Sequence, residues 1–245
     1  MAKVSVIIPA AGSGKRFGGK QSKIFAKIND SPLFIKSIEL FVNREDVCQV
    51  VLAVGSADME QLKGKYGAHL GLMGVKVVEG GAERFETVGK ALEAVDDEAD
   101  LIAVHDAVRP CVSQLWIDKV FAKAEETGAA ILACPLRGTL KRADEAGQIT
   151  ETVSRSDLWE AQTPQVFARK LLIDAYAVID QVPEPITDDA QVVEAAGQPV
   201  TIVEGDPRNI KITTSGDMAL AAVLIKSLPK PKLARPRGPF EEAQW

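Results

Sequence analysis

Val4–Lys23 reads VSVIIPAAGSGKRFGGKQSK, and this stretch decides the fold. Val4-Ser5-Val6-Ile7-Ile8 is a β-branched run that reads as a strand buried on both faces, the usual first strand of an α/β sheet. Pro9-Ala10-Ala11-Gly12-Ser13-Gly14 carries no side chain larger than a proline ring. Such a loop lets a ligand rest directly on backbone N–H groups. Lys15, Arg16, Lys20 and Lys23 follow at once. Small residues and then clustered cations, directly after a buried strand, suit phosphate. The alternative for the loop alone is a glycine-rich turn with solvated lysines.

Two familiar glycine motifs fail here by one residue each. The dinucleotide fingerprint G-x-G-x-x-G loses its third glycine at Phe17. Its second strand, Val50–Val54, ends in Gly55-Ser56 without the acid that would hold a ribose. The P-loop pattern fits from Gly14 through Lys20, but Gln21 replaces the magnesium-binding hydroxyl.

Composition narrows the rest. A chain of 245 residues suits one α/β domain with decorations or at most two small domains, and 46% hydrophobic content allows a substantial core. A net charge of −5 argues against nucleic acid as the main partner. No apolar run approaches the ~20 residues of a membrane span, and Lys3 precedes too short a run for a secretory leader. Cys48, Cys111 and Cys134 are far apart and have neither metal nor disulfide spacing. They suit buried hydrophobes in a reducing cytoplasm. His69 and His105 are too few for zinc chemistry.

Along the chain, strand and helix alternate. Ser31-Pro32 predicts a helix start, continuing to about Val42. Strands are expected at Val50–Val54, Val75–Val78, Leu101–Val104 and Ala129–Ala133. Between them, helices are expected from Ser56 to about Tyr66, Glu83 to Val95 and Ser113 to Thr127, with a loop over Gly67–Gly74. This rhythm implies a doubly wound, mostly parallel, Rossmann-like sheet, whose ligands bind beyond the carboxyl ends of the strands. The glycine loop, Gly80-Gly81 and His105-Asp106 all fall at those ends. From Gly138 to about Arg155 the pattern changes to a β-hairpin, a projecting arm for which a second subunit is the simplest cover. Helices follow at about Arg169–Asp180 and Asp188–Ala196, then a strand at Val200–Glu204 and a last helix capped by Ser215. The folded part is expected over residues 1–228, with 229–245 a disordered proline-rich, basic tail.

Asp106 ends a buried strand within HDAVRPC. A carboxylate there either holds magnesium on a nucleotide's phosphates or caps the next turn. His105 packs or hydrogen-bonds at the strand end, since no G-x-S-x-G elbow supplies a nucleophile for it to serve. Thr87 either reaches a sugar or base or is an ordinary helical threonine. Arg155, Thr163 and Thr187-Asp188 fall in polar connections, as ligands or as solvated residues. Lys211 lies in a strand-like Asn209-Ile210-Lys211-Ile212-Thr213, pointing outward or into the crevice.

Taken together, Pro9–Arg16, Gly80-Gly81 with Arg84, His105–Pro110, Thr163-Pro164-Gln165 and Asn209-Ile210-Lys211 resemble the 2-C-methyl-D-erythritol 4-phosphate cytidylyltransferase family in order and spacing, over about residues 3 to 226. The resemblance implies a magnesium-dependent enzyme of isoprenoid precursor synthesis that joins CTP to a sugar-alcohol phosphate, releases pyrophosphate and pairs as a homodimer through the arm. It implies that Ala10, Ala11, Gly12, Gly14 and Gly81 hold the cytidine with Thr87, and that Arg16 and Lys23 clamp the triphosphate. It places magnesium on Asp106, and Arg109, Thr139, Arg155, Thr163 and Lys211 on the acceptor, with Thr187 from the partner subunit. Arg16, Lys23 and Lys211 are then the catalytic cations. Two departures stand out: Ser22-Lys23-Ile24 replaces Pro-Lys-Gln, which makes Lys20 a rival for Lys23, and Ala82 stands where an acid often follows the glycine pair. Rival functions are a ribitol 5-phosphate cytidylyltransferase and a non-catalytic nucleotide-binding module.

Overall fold

Val6 and Ile8 pack into one hydrophobic cluster and Ile7 into another, so the first strand has a core on each face. The structure is a computed structural model that describes residues 1–12, 17, 22–183 and 185–230. In chain order it comprises β1 (Val4–Ala10), β2 (Lys27–Ile28), β3 (Ser31–Pro32), α1 (Leu33–Ile38), β4 (Val47–Val54), α2 (Ser56–Leu72), β5 (Val75–Glu79) and α3 (Arg84–Leu92). Then come β6 (Leu101–Val104), α4 (Gln114–Thr127), β7 (Ala129–Pro135), β8 (Leu140–Ala143), β9 (Ile149–Val153), β10 (Trp159–Ala168), α5 (Arg169–Tyr176), α6 (Asp189–Ala195), β11 (Thr201–Glu204) and α7 (Ser215–Ser227).

The central sheet runs β11-β7-β10-β6-β1-β4-β5. All its pairings are parallel except those of β10, which runs antiparallel to both β6 and β7. Helices α1, α2, α4 and α7 cover one face, where Phe34, Leu62, Phe121 and Ala221 pack. Helices α3, α5 and α6 cover the other, with Val88, Leu172 and Val193. Each such aliphatic side chain taken fully out of water contributes about 1.5–3 kcal/mol. The two-sided core is therefore what fixes strand register.

Several local expectations give way. The expected Gly67–Gly74 loop is helical as far as Leu72. Glycine costs about 1 kcal/mol per helical position. Burial of Leu62 and Leu70, with Tyr66 stacked on Phe25 and set edge-on to Phe34, offsets it. Ser31-Pro32 does not open a helix; it pairs with Lys27-Ile28, and Pro32, in extended backbone, caps α1. The last helix is capped by Thr214 rather than Ser215, in a reciprocal box with Asp217. Lys211 lies in an extended segment outside any sheet, held to the loop after β6 by the Ile212 N–H donating to the Val108 carbonyl at 2.9 Å.

The expected arm is present as the antiparallel pair β8–β9, with nearly every side chain exposed. Beyond it comes the largest departure. Thr163 does not fall in a polar connection but inside β10, in the middle of the sheet. Pairing of β10 with β7 shifts register between Ala161 and Gln165. Such an irregularity re-aims side chains locally. The expected tail from 231 onward lies outside the described residues.

Candidate active site

At the carboxyl ends of β1, β5 and β6 the chain makes three loops that converge. Ala10, Ala11 and Gly12 line a cavity of about 320 Å³ together with Lys23, Asp106 and Lys211. Gly80 lets the loops meet. A Cβ there would sit 2.7 Å from the Ala11 methyl and 2.9 Å from Thr87 Cγ2, too close for either. Its own N–H extends the sheet by donating to the Val54 carbonyl at 2.8 Å. The next turn is closed internally. The Gly81 N–H donates to Thr87 Oγ1 at 3.0 Å, and the Thr87 hydroxyl donates to the Glu83 carbonyl at 2.9 Å. Ala82 N–H donates at 2.8 Å to the Glu86 oxygen that also accepts the Glu83 N–H in the capping box starting α3.

Asp106 stands at the centre. It is only 6% exposed, yet three cations reach it. Lys211 Nζ lies 2.9 Å from Oδ2, Arg109 Nε 3.3 Å from the same oxygen, and Arg84 Nε 3.5 Å from Oδ1. Burial alone would push this carboxyl up. The charges of Lys211, Arg84 and Arg109 overrule it and hold Asp106 well below the usual carboxylate range. Arg84 continues outward to Asp189, its Nη2 2.7 Å from Oδ2, and Asp189 is wholly buried. Burial disfavours the Arg84 charge, but Asp189 and Asp106 more than restore it, so its pKa is raised. Tyr176 completes this arm of the network by donating to the other Asp189 oxygen at 2.7 Å. Arg84, Arg109 and Lys211 against Asp106 and Asp189 leave one positive charge over, the right sign for an anionic ligand.

A second cavity, about 190 Å³, adjoins the first. Arg84, Asp106 and Lys211 line both, so they form the common wall. Thr163, Gln165 and Thr187 lie on the far side, with Arg109. The Asp106 N–H donates to Thr163 Oγ1 at 3.1 Å, and that hydroxyl lies 3.1 Å from His105 Nδ1. His105 Nε2 lies 3.0 Å from the Arg109 carbonyl, which can only accept. The ring therefore carries its proton on Nε2 and accepts the Thr163 hydroxyl on Nδ1. Burial pushes the His105 pKa down to about 4, keeping the ring neutral. His105 is thus a brace for the loop after β6, as its position at the strand end implied.

A family model described as IspD, 2-C-methyl-D-erythritol 4-phosphate cytidylyltransferase, matches residues 4–227. The chain belongs to this family. A relative of that name from Rhodopirellula baltica is 45% identical over 235 residues, covering 91% of this chain and 95% of its own length. Another from Alkaliphilus metalliredigens is 37% identical over 244 residues, covering 99% and 98%. The crystal structure of the 2-C-methyl-D-erythritol 4-phosphate cytidylyltransferase from Thermus thermophilus superposes with a TM-score of 0.77 at 32% identity, across 91% of this chain and 99% of that one. The activity that goes with the family is the joining of CTP to 2-C-methyl-D-erythritol 4-phosphate in isoprenoid precursor synthesis.

Within this family member the residues singled out from the sequence fall into three groups. Ala10, Ala11, Gly12, Lys23 and Thr87 line the first cavity, Arg109, Thr163 and Thr187 line the second, and Asp106 and Lys211 line both. Thr187 was expected from the partner subunit, but it lines the cavity of its own chain, because α6 begins two residues later beside β10. Thr139 and Arg155 are exposed on the arm and line neither cavity; the Arg155 guanidinium donates to the Arg137 carbonyl. Gly81 contributes shape and a closed turn, its N–H already bonded to Thr87. Gly14 and Arg16 lie outside the described residues, as does Lys20. Sequence reasoning assigned no role to Arg84 and missed Asp189 and Tyr176. The one available signal was the arginine following Gly80-Gly81.

Among the described residues no three His, Cys, Asp or Glu side chains gather to hold a metal. Asp106 is a single hard carboxylate beside the cation-rich cavity. That donor set fits a magnesium ion whose remaining ligands come from phosphates and water, the way magnesium is commonly held at nucleotide sites. No helix among the described residues is long and apolar enough to cross a membrane.

Proposed function

We propose that this chain transfers the cytidylyl group of CTP to 2-C-methyl-D-erythritol 4-phosphate, releasing pyrophosphate, across the wall its two cavities share. That wall is the observation that carries the reading. The cavities meet at Arg84, Asp106 and Lys211, where a donor and an acceptor phosphate would be brought face to face. The glycine-loop cavity takes the nucleotide on Ala10, Ala11 and Gly12. The second cavity takes the acceptor on Arg109, Thr163 and Thr187.

The chemistry needs charge neutralisation rather than a base. A phosphate oxygen of the acceptor attacks the α-phosphorus of CTP. A new P–O bond forms as the bond to the α,β-bridging oxygen breaks, and pyrophosphate leaves with the electron pair. The acceptor phosphate is already anionic, so no proton must be removed. The barrier is repulsion between two anions and charge building on the leaving group. Lys23 and Arg16 serve the triphosphate, and Lys211 serves the transferred group. Positive groups set in place before the reaction stabilise such charge without reorganising during it. Neutral His105 takes no part in proton transfer.

Magnesium is the proposed cofactor. Asp106 would hold it, and the ion would supply Lewis-acid neutralisation of phosphate charge.

A homodimer is proposed from the arm. Residues 140–153 present almost no buried side chain, and Ile149 is 64% exposed. An isolated two-stranded hairpin is marginal in water. Thr139 and Arg155, implied acceptor ligands, cannot serve the cavity they are excluded from, so a second copy's arm brings them to it. A location in the reducing cytoplasm fits the three free cysteines.

The test is pyrophosphate release from CTP and magnesium across a panel of polyol phosphates that includes ribitol 5-phosphate. Turnover is expected with the methylerythritol phosphate and far less with the rest. CTP binding without pyrophosphate release on any acceptor would overturn the reading.

A further inference from the structure

The residues common to the two cavities mark the place where a group passing from one ligand to the other must travel. Lys211 is one of them and Asp106 another. The third, Arg84, has so far no role beyond its ion pairs with Asp106 and Asp189. It is the first residue of α3, directly after the closed turn at Gly80–Glu83. One corner of its guanidinium is fixed: Nη2 lies 2.7 Å from Asp189, and Nε leans toward Asp106 at 3.5 Å. Among the described residues its Nη1 makes no hydrogen bond, and the side chain is 24% exposed at the common wall.

What fixes that corner is itself braced. Asp189 receives the Tyr176 hydroxyl at 2.7 Å. The Asp189 and Ala190 N–H groups both donate to Gln165 Oε1 at 3.1 Å. Gln165 in turn donates to Asp188 at 2.8 Å, and Asp188 caps α6 by accepting from Gln191 N–H at 3.0 Å. A wholly buried carboxylate is costly unless paired and hydrogen-bonded. Here that cost holds one arginine edge still, in a side chain that lines both cavities. A guanidinium presents donors in a rigid fork, so immobilising one edge aims the second.

We propose that Arg84 is a catalytic residue of the cytidylyl transfer, donating from Nη1 to the transferred phosphate, and that Asp189 and Tyr176 are positioning residues that aim it. The inference rests on the transferase reading above. Arg84 and Lys211 then approach the moving phosphoryl group across the common wall, with Asp106 between them. A lysine at position 84 has a single ammonium, which can satisfy Asp189 or the phosphate but not both.

The experiment compares Arg84→Lys and Arg84→Ala with the unaltered chain, using CTP, magnesium and the methylerythritol phosphate. Arg84→Lys is expected to keep the melting temperature and, by calorimetry without acceptor, CTP affinity within about threefold, while kcat falls about 10²-fold, the usual loss for one transition-state donor. Added guanidinium is expected to restore part of the turnover of Arg84→Ala and none of that of Lys211→Ala. Unchanged turnover in Arg84→Lys overturns the inference, as does a loss confined to CTP affinity with kcat intact. Should Arg84→Ala fail to fold, Arg84→Lys alone decides. Lack of turnover by the unaltered chain would indict the transferase reading instead, and the two failures are thereby told apart.

Discussion

The ring around Asp106 and the β8–β9 arm are opposite solutions built by one chain. In the ring, groups from the loop after β6, α3, α5, the segment before α7 and the start of α6 meet at two buried carboxylates, each oxygen of which has a cation or hydroxyl partner. In the arm, Arg142 pairs with Glu151 and Lys141 reaches Thr152, both in full solvent. Exposed pairs of that kind contribute about 0–1 kcal/mol. The ring is over-determined by its own chain. The arm is under-determined by its own chain, and in the proposed dimer a second copy supplies its definition. The difference separates residues that one chain draws together around the two cavities from residues that line neither.

The largest effect expected joins the two regions. Lys211→Ala, in the ring, and Arg155→Ala, on the arm, should each lower kcat/KM by about 10²–10³-fold. Mixed in equal amounts and allowed to exchange, the two inactive variants should regain about a quarter of the original turnover, since half the pairs are mixed and each has one intact site. Assaying pyrophosphate release before and after mixing checks this. No recovery would mean that Arg155 acts, if at all, within its own chain, and the contrast between a complete ring and an incomplete arm would fail.

How much of each region was legible in the sequence follows from the range of its interactions. The loop after β1 was readable because Val4–Ile8 and the small residues after it are contiguous. The arm was readable from its turn at Asp144–Gly147. The ring was not. Arg84 and Asp189 lie 105 positions apart, so no local spacing announces their 2.7 Å contact. Strand β10 hid for a different reason. Trp159–Ala168 places Gln162, Thr163, Pro164 and Gln165 in its middle, and an internal proline with polar neighbours argues against a central strand. Those same residues are buried because they face the site: Thr163 bonds to His105 and to the Asp106 amide, Gln165 to the start of α6. Sequence rules failed there because these side chains bond to the loop after β6 and to the start of α6, as well as sitting in the sheet.

A second prediction probes the depth of the ring through His105. Its pKa is pushed down to about 4 by burial, against about 6.5 in an unfolded chain. The unfolded state therefore binds the extra proton first as pH falls. Stability is complete above about pH 6.5 and is lost progressively toward pH 4, by up to about 3 kcal/mol. Urea midpoints at pH 7 and pH 5 should show this slope, and His105→Gln, although less stable, should show a flatter one. Equal slopes would mean that His105 is not the buried neutral brace inferred from its contacts.

A smaller effect is expected at Gly80, where ring and glycine loop touch. Gly80→Ala forces its methyl against Ala11 and Thr87, 2.7 and 2.9 Å away. Overpacking of this size costs about 1–3 kcal/mol. If the displacement is taken up by the glycine loop, KM for CTP rises about tenfold, as about 1.4 kcal/mol of lost binding would give. KM for the acceptor, on the far side of the common wall, should change little. Equal changes in both would show that the two cavities do not respond separately.

The smallest effect on the single chain, and the sharpest test of the contrast, lies at Ile149. In one chain this side chain is 64% exposed on the arm, so Ile149→Asp removes almost no intrachain contact. Substitutions of that kind normally shift the stability of a protomer by no more than about 0.5 kcal/mol. If a second copy covers the arm, however, the same change puts a charge into an apolar interface, where an unpaired ion is strongly disfavoured. The protomer would then keep its fold while the assembly came apart. Sedimentation at several concentrations separates the outcomes. A shift from dimer to monomer, with unfolding of the isolated protomer unchanged, places the missing definition of the arm in the partner. A variant that sediments like the unaltered chain would show that the arm, unlike the ring, is left uncovered.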